Sequence, residues 1–243
     1  DLTRAFFRRK GFLEVDTPIA FSSPNIDQNV FPVVLSDASG TGSKRFLHTS
    51  PELSMKKLLA AGSGNIFHLG KVFRDLEGSP LHHPEFTMLE WYRVGAQVEA
   101  VMEDVEALTR EMAAEIHGRE EIRRGGAAGS LAGKWARVEL SGAFQDLLGA
   151  PMAGDEAALR SALVRKGMRP GGDETWEDLF FRAYIDVIEP SLADRGPVFL
   201  TGFPSSLAGM ARRRKGDYGI CERFEGYIRG VELVNGYEEL TDP

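Results

Sequence analysis

The sequence predicts an α+β fold built on an antiparallel sheet whose halves are separated along the chain. Two observations carry this expectation: strand-like segments come before a long helical block, and strands return after it; the polar link between the two strands at 65–93 is long for a hairpin and reads as a working loop. The 243 residues, with 42% hydrophobic and 27% charged content, suffice for a sizeable core in one large domain. We therefore expect residues 1–243 to form one domain, with a helical insert at about 99–195.

Taken in order, "LTRAFFRRKGF" has apolar residues at helical intervals with Gly11 as its stop, and "GFLEVDTPI" reads as a strand ended by Pro18. After a loop rich in Ser, Asn, Asp and Gly comes the strand "RFLHTS". In "SPELSMKKLLAAG" Ser50 is a good N-cap, Pro51 suits the first helical position and Gly62 closes the helix. Glu52 then sits in the first turn, at the positive end of the helix dipole. "NIFHLGKVFR" and "EFTMLEWYR" read as two strands, and Glu99 to Ile116 as an amphipathic helix. "RRGGAAGSLAG" has the composition of a flexible linker. Three short helical patterns fill Ser141 to Leu192, before strands return with "PVFLTGFP" and "ERFEGYIRGVELVNGYEEL".

The formal net charge of −7 argues against general adhesion to duplex nucleic acid, leaving only local basic patches such as Arg212 to Lys215, for which a solvated loop is the plainer account. One cysteine, Cys221, cannot form an intrachain disulfide, and neither a leader nor an apolar run of membrane-spanning length is visible. A reducing cytoplasm is the expected location. The chain starts at Asp1 rather than Met and stops after "NGYEELTDP", so both ends are expected to be cuts in a longer protein.

Period-two alternation puts Phe86, Met88, Glu90 and Tyr92 on one face of their strand. If that face is covered, an ionised Glu90 needs a protein cation or a cationic ligand; the alternative is a surface glutamate on a half-exposed sheet. A two-residue turn at Arg229-Gly230 would set Tyr227 opposite Glu232, with Glu225 diagonal on the same face. Two converging carboxylates without histidine or cysteine suit Mg²⁺ shared with phosphates, unless the hairpin is simply acidic and balanced by Arg223 and Arg229. Asn235, beside Gly236, and Glu239 lie on the returning chain. Arg74 ends one strand opposite the start of the next, where its guanidinium can hold a phosphate while Phe86 offers a flat face to a base. His82, in the link, is placed to reach outer phosphates. No Walker or Rossmann glycine loop is present.

"GFLEVDTPI" resembles motif 1, and "FRDLEGSPLHHPEFTMLEWYR" motif 2, of the class II aminoacyl-tRNA synthetases in their lysine-specific branch. Similarity extends through "TSPELSMKKLL" and "ERFEGYIRGVELVNGYEELTD", and so over nearly the whole chain. "SPELSMKKLLAAG" and "PEFTMLEWYR" are more similar to the elongation factor P lysine ligases than to lysyl-tRNA synthetases. The resemblance implies an antiparallel sheet flanked by helices, a homodimer through motif 1, and bent ATP with Mg²⁺. It implies that lysine or β-lysine is activated as an adenylate and passed to a lysine side chain of elongation factor P.

By the same resemblance Arg74 holds the α-phosphate, Phe86 stacks on adenine, His82 reaches the γ-phosphate and Glu77 belongs to the ATP site. Glu225 and Glu232 bind Mg²⁺. Glu52 takes the α-amino group, Glu90, Tyr92 and Glu239 surround the side-chain ammonium, and Asn235 lies near the carboxylate. The chain departs from the usual motif 2 at Leu76, where the pattern is acidic, and at His83, where it is asparagine. Motif 3 is expected beyond Pro243. Two other readings remain open from sequence: the catalytic part of a lysyl-tRNA synthetase charging tRNA, and a non-catalytic paralogue that binds lysine and ATP.

Overall fold

The computed structural model describes residues 1–25, 30–36, 42, 44–76, 82–124 and 127–241. The chain packs as two compact units, Asp1–Gly95 and Ala96–Pro243.

The first unit contains, in order, α1 (Leu2–Arg9), β1 (Leu13–Glu14), β2 (Ala20–Phe21), β3 (Val34–Leu35), β4 (Arg45–Leu47), α2 (Glu52–Ala60), β5 (Ile66–Phe73) and β6 (Glu85–Tyr92). Its core forms because α1 buries Phe6 and Phe7. Phe7 stacks on Phe67 at 5.0 Å and meets Phe12 at 5.2 Å and Trp91 at 5.4 Å. These rings join α1 to one face of the β5–β6 pair, so the other face of β6 is left for Phe86, Met88, Glu90 and Tyr92. Strands β5 and β6 pair antiparallel without a slip, from Ile66 opposite Tyr92 to Phe73 opposite Glu85. β1 adds to β5 in parallel, and only Leu13 and Glu14 of the expected "GFLEVDTPI" strand are paired. A small sheet of order β2–β4–β3 stands beside it in sequence.

The second unit contains α3 (Val98–His117), β7 (Glu121–Arg124), β8 (Ala127–Ser130), β9 (Ala136–Glu139), α4 (Leu140–Leu148), α5 (Glu156–Arg165) and α6 (Trp176–Ala183). A π-helical turn, Tyr184–Ile188, and a 3₁₀ turn, Glu189–Leu192, extend α6. Then come β10 (Val198–Pro204), a 3₁₀ turn (Ser205–Leu207), β11 (Arg213–Arg214), β12 (Asp217–Ile228) and β13 (Val231–Tyr237). The sheet runs β11–β12–β10–β9, with β13 also on β12. Thr175 begins α6 with a capping box: its hydroxyl accepts the Asp178 N–H, and the Asp178 carboxylate accepts the Thr175 N–H. Leu140, Phe144, Leu159, Leu179, Phe180 and Ile188 pack with Leu200, Cys221 and Tyr227 in one core, so the helices after β9 cover one face of this sheet.

The structure corrects two sequence expectations. The presumed linker "RRGGAAGSLAG" carries most of a hairpin: β7 and β8 pair from Glu121 opposite Ser130 to Arg124 opposite Ala127. Glycine and alanine have weak strand preference, so composition concealed it; burial of Leu131 and Trp135 just beyond anchors the pair. The span 99–195, expected to be helical, also supplies β9, which pairs in parallel with β10 from Ala136 opposite Val198 to Glu139 opposite Thr201. The sheets are thus rich in antiparallel pairs, but the β1–β5–β6 sheet and the sheet built on β12 each include a parallel strand. The α+β class stands. Among the described residues no helix is long and apolar enough to cross a membrane.

Candidate active site

Residues expected at the site fall in both units, and each half is built separately. Glu77 lies outside the described residues.

In the first unit the Arg74 N–H donates to the Pro84 carbonyl at 2.8 Å, fixing the residue where β5 ends and β6 begins. Its Nε donates to the Thr49 carbonyl at 3.3 Å, and its guanidinium lies 5.2 Å from the centre of the Phe86 ring. The alternation read from sequence therefore places Phe86 beside Arg74. Thr49 is buried and receives a bond from Asn25 Nδ2 at 2.7 Å, so the carbonyl that holds Arg74 is itself fixed.

The next residue, Ser50, has a double role. Its hydroxyl accepts the Glu52 N–H at 3.0 Å from one residue before the N-cap, which is Pro51 rather than the expected Ser50, and donates to Glu90 Oε2 at 2.8 Å. Tyr92 donates to the other Glu90 oxygen at 2.8 Å. Burial pushes the Glu90 carboxyl up to about 7. The bonds from Tyr92 and Ser50 oppose that rise, the neighbouring Glu52 carboxylate adds to it and Lys56 offsets it. Glu52 bonds Lys56 Nζ at 2.7 Å, one helical turn on. Arg74, Phe86, Glu52, Glu90 and Tyr92 are thus joined by contacts through Thr49 and Ser50. His82 is exposed at the start of the returning chain.

This half presents a guanidinium with an aromatic platform next to two carboxylates, one of which gains affinity for a cation because it is costly to ionise alone. Ser50 enters the site through a contact that its position near the start of α2 does not announce. Its bond to Glu90 depends on how the start of α2 meets a strand forty positions later, for which the sequence gives no signal.

In the second unit Arg229 and Gly230 both have positive φ, 51° and 71°, forming the two-residue turn expected between β12 and β13. Ile228 opposes Val231 and Tyr227 opposes Glu232. A bulge follows, so that Gly226 meets Val234 and Glu225 meets Asn235. Glu232 and Asn235 are exposed, while Glu225 is only 6% exposed. Glu239 bridges to Ala211 just past β13.

Glu225 is held from three directions. Arg223 donates to Oε1 at 2.7 Å and Tyr184 donates to Oε2, while the Tyr227 hydroxyl lies 2.8 Å from that same Oε2. The two phenol oxygens are 3.0 Å apart, and Tyr227 also lies 2.9 Å from Glu189 Oε1. Burial holds both phenols well above their ordinary range, with the Glu225 charge adding to the effect, so they are neutral donors. Glu189 is raised by burial and by the same charge. Arg223 thus balances Glu225 as one sequence reading held, while also donating to Asn235 Oδ1 at 3.3 Å.

Glu225 and Glu232 offer oxygen donors alone, the set that Mg²⁺ prefers when phosphates complete its shell. A carboxylate has about four lone-pair positions, two on each oxygen; Arg223 takes one on Oε1 and leaves the other, enough for a monodentate ligand. The residues fit the ion on those terms. Among the described residues no group of three or more His, Cys, Asp or Glu is arranged around a cation position. Two members of the basic run are engaged within the unit: Arg212 with Glu238, and Arg214 with Glu139 and Glu222.

An antiparallel-rich α+β chain whose strand-end arginine sits on an aromatic ring, linked through Thr49 and Ser50 to two carboxylates, has the makings of a class II synthetase. The chain belongs to that family: the model for tRNA synthetases class II (D, K and N) matches residues 1–243.

Within the family, the chain is 39% identical over 241 residues to an elongation factor P (R)-β-lysine ligase homologue of Aquifex aeolicus, covering 99% of this chain and 75% of the relative. It is 36% identical over 247 residues to the elongation factor P (R)-β-lysine ligase of Vibrio vulnificus, covering 99% and 71%. The corresponding ligase of Vibrio parahaemolyticus is 34% identical over 246 residues, with the same coverage.

Proposed function

We propose that the protein is an ATP-dependent ligase that activates β-lysine or lysine as an aminoacyl-adenylate and transfers it to a lysine side chain of elongation factor P. The observation that carries this reading is the chain of contacts from Phe86 and Arg74 through Thr49 and Ser50 to Glu90. A guanidinium over an aromatic ring, linked in this way to a largely buried carboxylate, supports the assignment of a phosphate cation, a base platform and an ammonium acceptor. The similarity to ligases of that name supports the choice of acceptor.

Activation is an in-line attack by the amino-acid carboxylate on the α-phosphorus, with departure of pyrophosphate. Such a step needs positioning and charge neutralisation rather than a protein nucleophile. Arg74 holds the α-phosphate with a forked guanidinium already oriented by Thr49 and Phe86, and adenine stacks on Phe86. His82 reaches the γ-phosphate, and Glu77 belongs to the same nucleotide subsite. Glu52 takes the α-amino group in place of Lys56. Glu90, steadied by Tyr92, takes the side-chain ammonium together with Glu239, and Asn235 lies by the carboxylate. A neutral side chain would leave Glu90 without a partner, at a cost of about 1–3 kcal/mol or more.

Mg²⁺, held by Glu225 and Glu232, would neutralise the phosphates when bound. Residues 1–243 serve as a catalytic domain, a homodimer forms through the motif 1 segment, and the enzyme works in the cytoplasm.

The test is incubation of the natural full-length protein with ATP and radiolabelled lysine or β-lysine, offering elongation factor P or tRNA. Label on elongation factor P is the expected result. Label on tRNA instead would make the protein a lysyl-tRNA synthetase, and label on neither would overturn the catalytic reading.

A further inference from the structure

The helices that follow β9 do more than cover a sheet. The π-helical turn at Tyr184–Ile188 is an uncommon feature that inserts one residue into the helical ladder and is frequent at functional sites. Here it puts Tyr184 at its start, against the buried Glu225 carboxylate of β12, and Glu189 directly after its end, against the Tyr227 hydroxyl that neighbours the same carboxylate. Tyr184 donates to Glu225 Oε2, and Glu189 Oε1 lies 2.9 Å from Tyr227, whose hydroxyl is 2.8 Å from the same Glu225 oxygen. An ordinary α-helical continuation would rotate these two side chains relative to each other by the residue that the π turn adds.

We infer that Tyr184 and Tyr227 are positioning residues for Glu225, closing its Oε2 so that the lone pair on Oε1 is the position from which it can serve a metal ion. The inference rests on the proposed role of Glu225 toward Mg²⁺ and deepens it. Each phenol has a single proton. Tyr184 spends its proton on Glu225. That of Tyr227 has two carboxylate acceptors within reach, Glu225 and Glu189, so Glu189 fixes the angle at which the phenol meets Glu225. Arg223 donates to Oε1 at 2.7 Å and holds that oxygen in place. Ligating carboxylates depend on such outer partners, and losing one lowers metal affinity about 10–100-fold. The helical insert is, on this account, a part of the active site's frame.

The experiment measures Mn²⁺ as a paramagnetic stand-in for Mg²⁺, by electron paramagnetic resonance in the presence of ATP, on the full-length protein. Wild type, Glu225→Gln, Tyr184→Phe and Tyr227→Phe are compared, with Leu179→Ala as a control that loosens the same helical layer without touching a hydroxyl. The expected result is about a tenfold or greater loss of Mn²⁺ affinity in each tyrosine variant, and wild-type affinity in Leu179→Ala. Two tyrosine variants are used so that failure of one to fold leaves the other to decide. If the wild type binds Mn²⁺ with ATP and Glu225→Gln does not, but the folded tyrosine variants match the wild type, this inference alone is overturned. A wild type that binds no Mn²⁺ with ATP overturns the metal reading of Glu225 along with it.

Discussion

Ser50 donates its hydroxyl to Glu90 at 2.8 Å while the residue before it, Thr49, accepts a bond from Arg74. A two-residue step of backbone thus connects the proposed phosphate cation to the proposed ammonium acceptor. Movement at either end is felt at the other, and this coupling gives the first prediction. Ser50→Ala removes one bond to Glu90 and one to the Glu52 N–H, so we expect the KM for the amino acid to rise about tenfold, with a smaller change for ATP. Steady-state pyrophosphate exchange with each substrate varied in turn measures both.

Glu90 sets a pH dependence whose sign follows from its rise from 4.5 to about 7. The cationic substrate binds the ionised form, so amino-acid affinity should fall below pH 7, by up to about tenfold per unit, and level off above it. Substrate ammonium, with a pKa of about 10.4, stays charged throughout this window. Calorimetric titration between pH 5.5 and about 8 tests this. Without substrate the trend reverses. A carboxyl whose pKa is raised on folding binds more protons folded than unfolded between 4.5 and about 7, so its contribution to stability is lost as pH climbs through that range. Thermal unfolding of the ligand-free protein should show this slope, and Glu90→Gln should flatten it.

Arg74→Lys keeps the charge but cannot keep the fork over Phe86 and toward Thr49. We expect exchange to fall about 10²–10³-fold, as when one preorganised charge-stabilising donor is removed, with little change in the unfolding temperature. A fall of only a few-fold would remove Arg74 from the reaction centre.

Gly230→Ala tests the frame. Position 230 has φ of +71°, and a Cβ there would come within 3.1 Å of the Ala193 Cα. The left-handed backbone alone costs about 1–2 kcal/mol. Backbone crowding against Ala193 adds to that, so chemical denaturation should show a clear loss of stability.

Much of this site was legible in the sequence because it rests on local geometry. Period-two alternation placed Phe86, Glu90 and Tyr92 on one face, and the Arg229-Gly230 turn set Tyr227 against Glu232. What stayed hidden depends on contacts distant in sequence. Ser50 meets Glu90 across forty positions, and Tyr184 meets Glu225 across forty-one. The parallel placement of β1 and β9 is likewise decided by which strands the helices bring together, and the β7–β8 hairpin by burial just beyond residues of weak preference.

The central claim is that Glu90 selects an ammonium-bearing amino acid beside the nucleotide. Pyrophosphate exchange driven by lysine, β-lysine and norleucine, in the full-length wild type and in Glu90→Gln, tests it most directly. The account predicts exchange with one or both diamino acids and none with norleucine, a severe loss in Glu90→Gln, and unchanged ATP binding in that variant. Equal exchange by wild type and variant, or exchange with norleucine as fast as with the diamino acids, would contradict it.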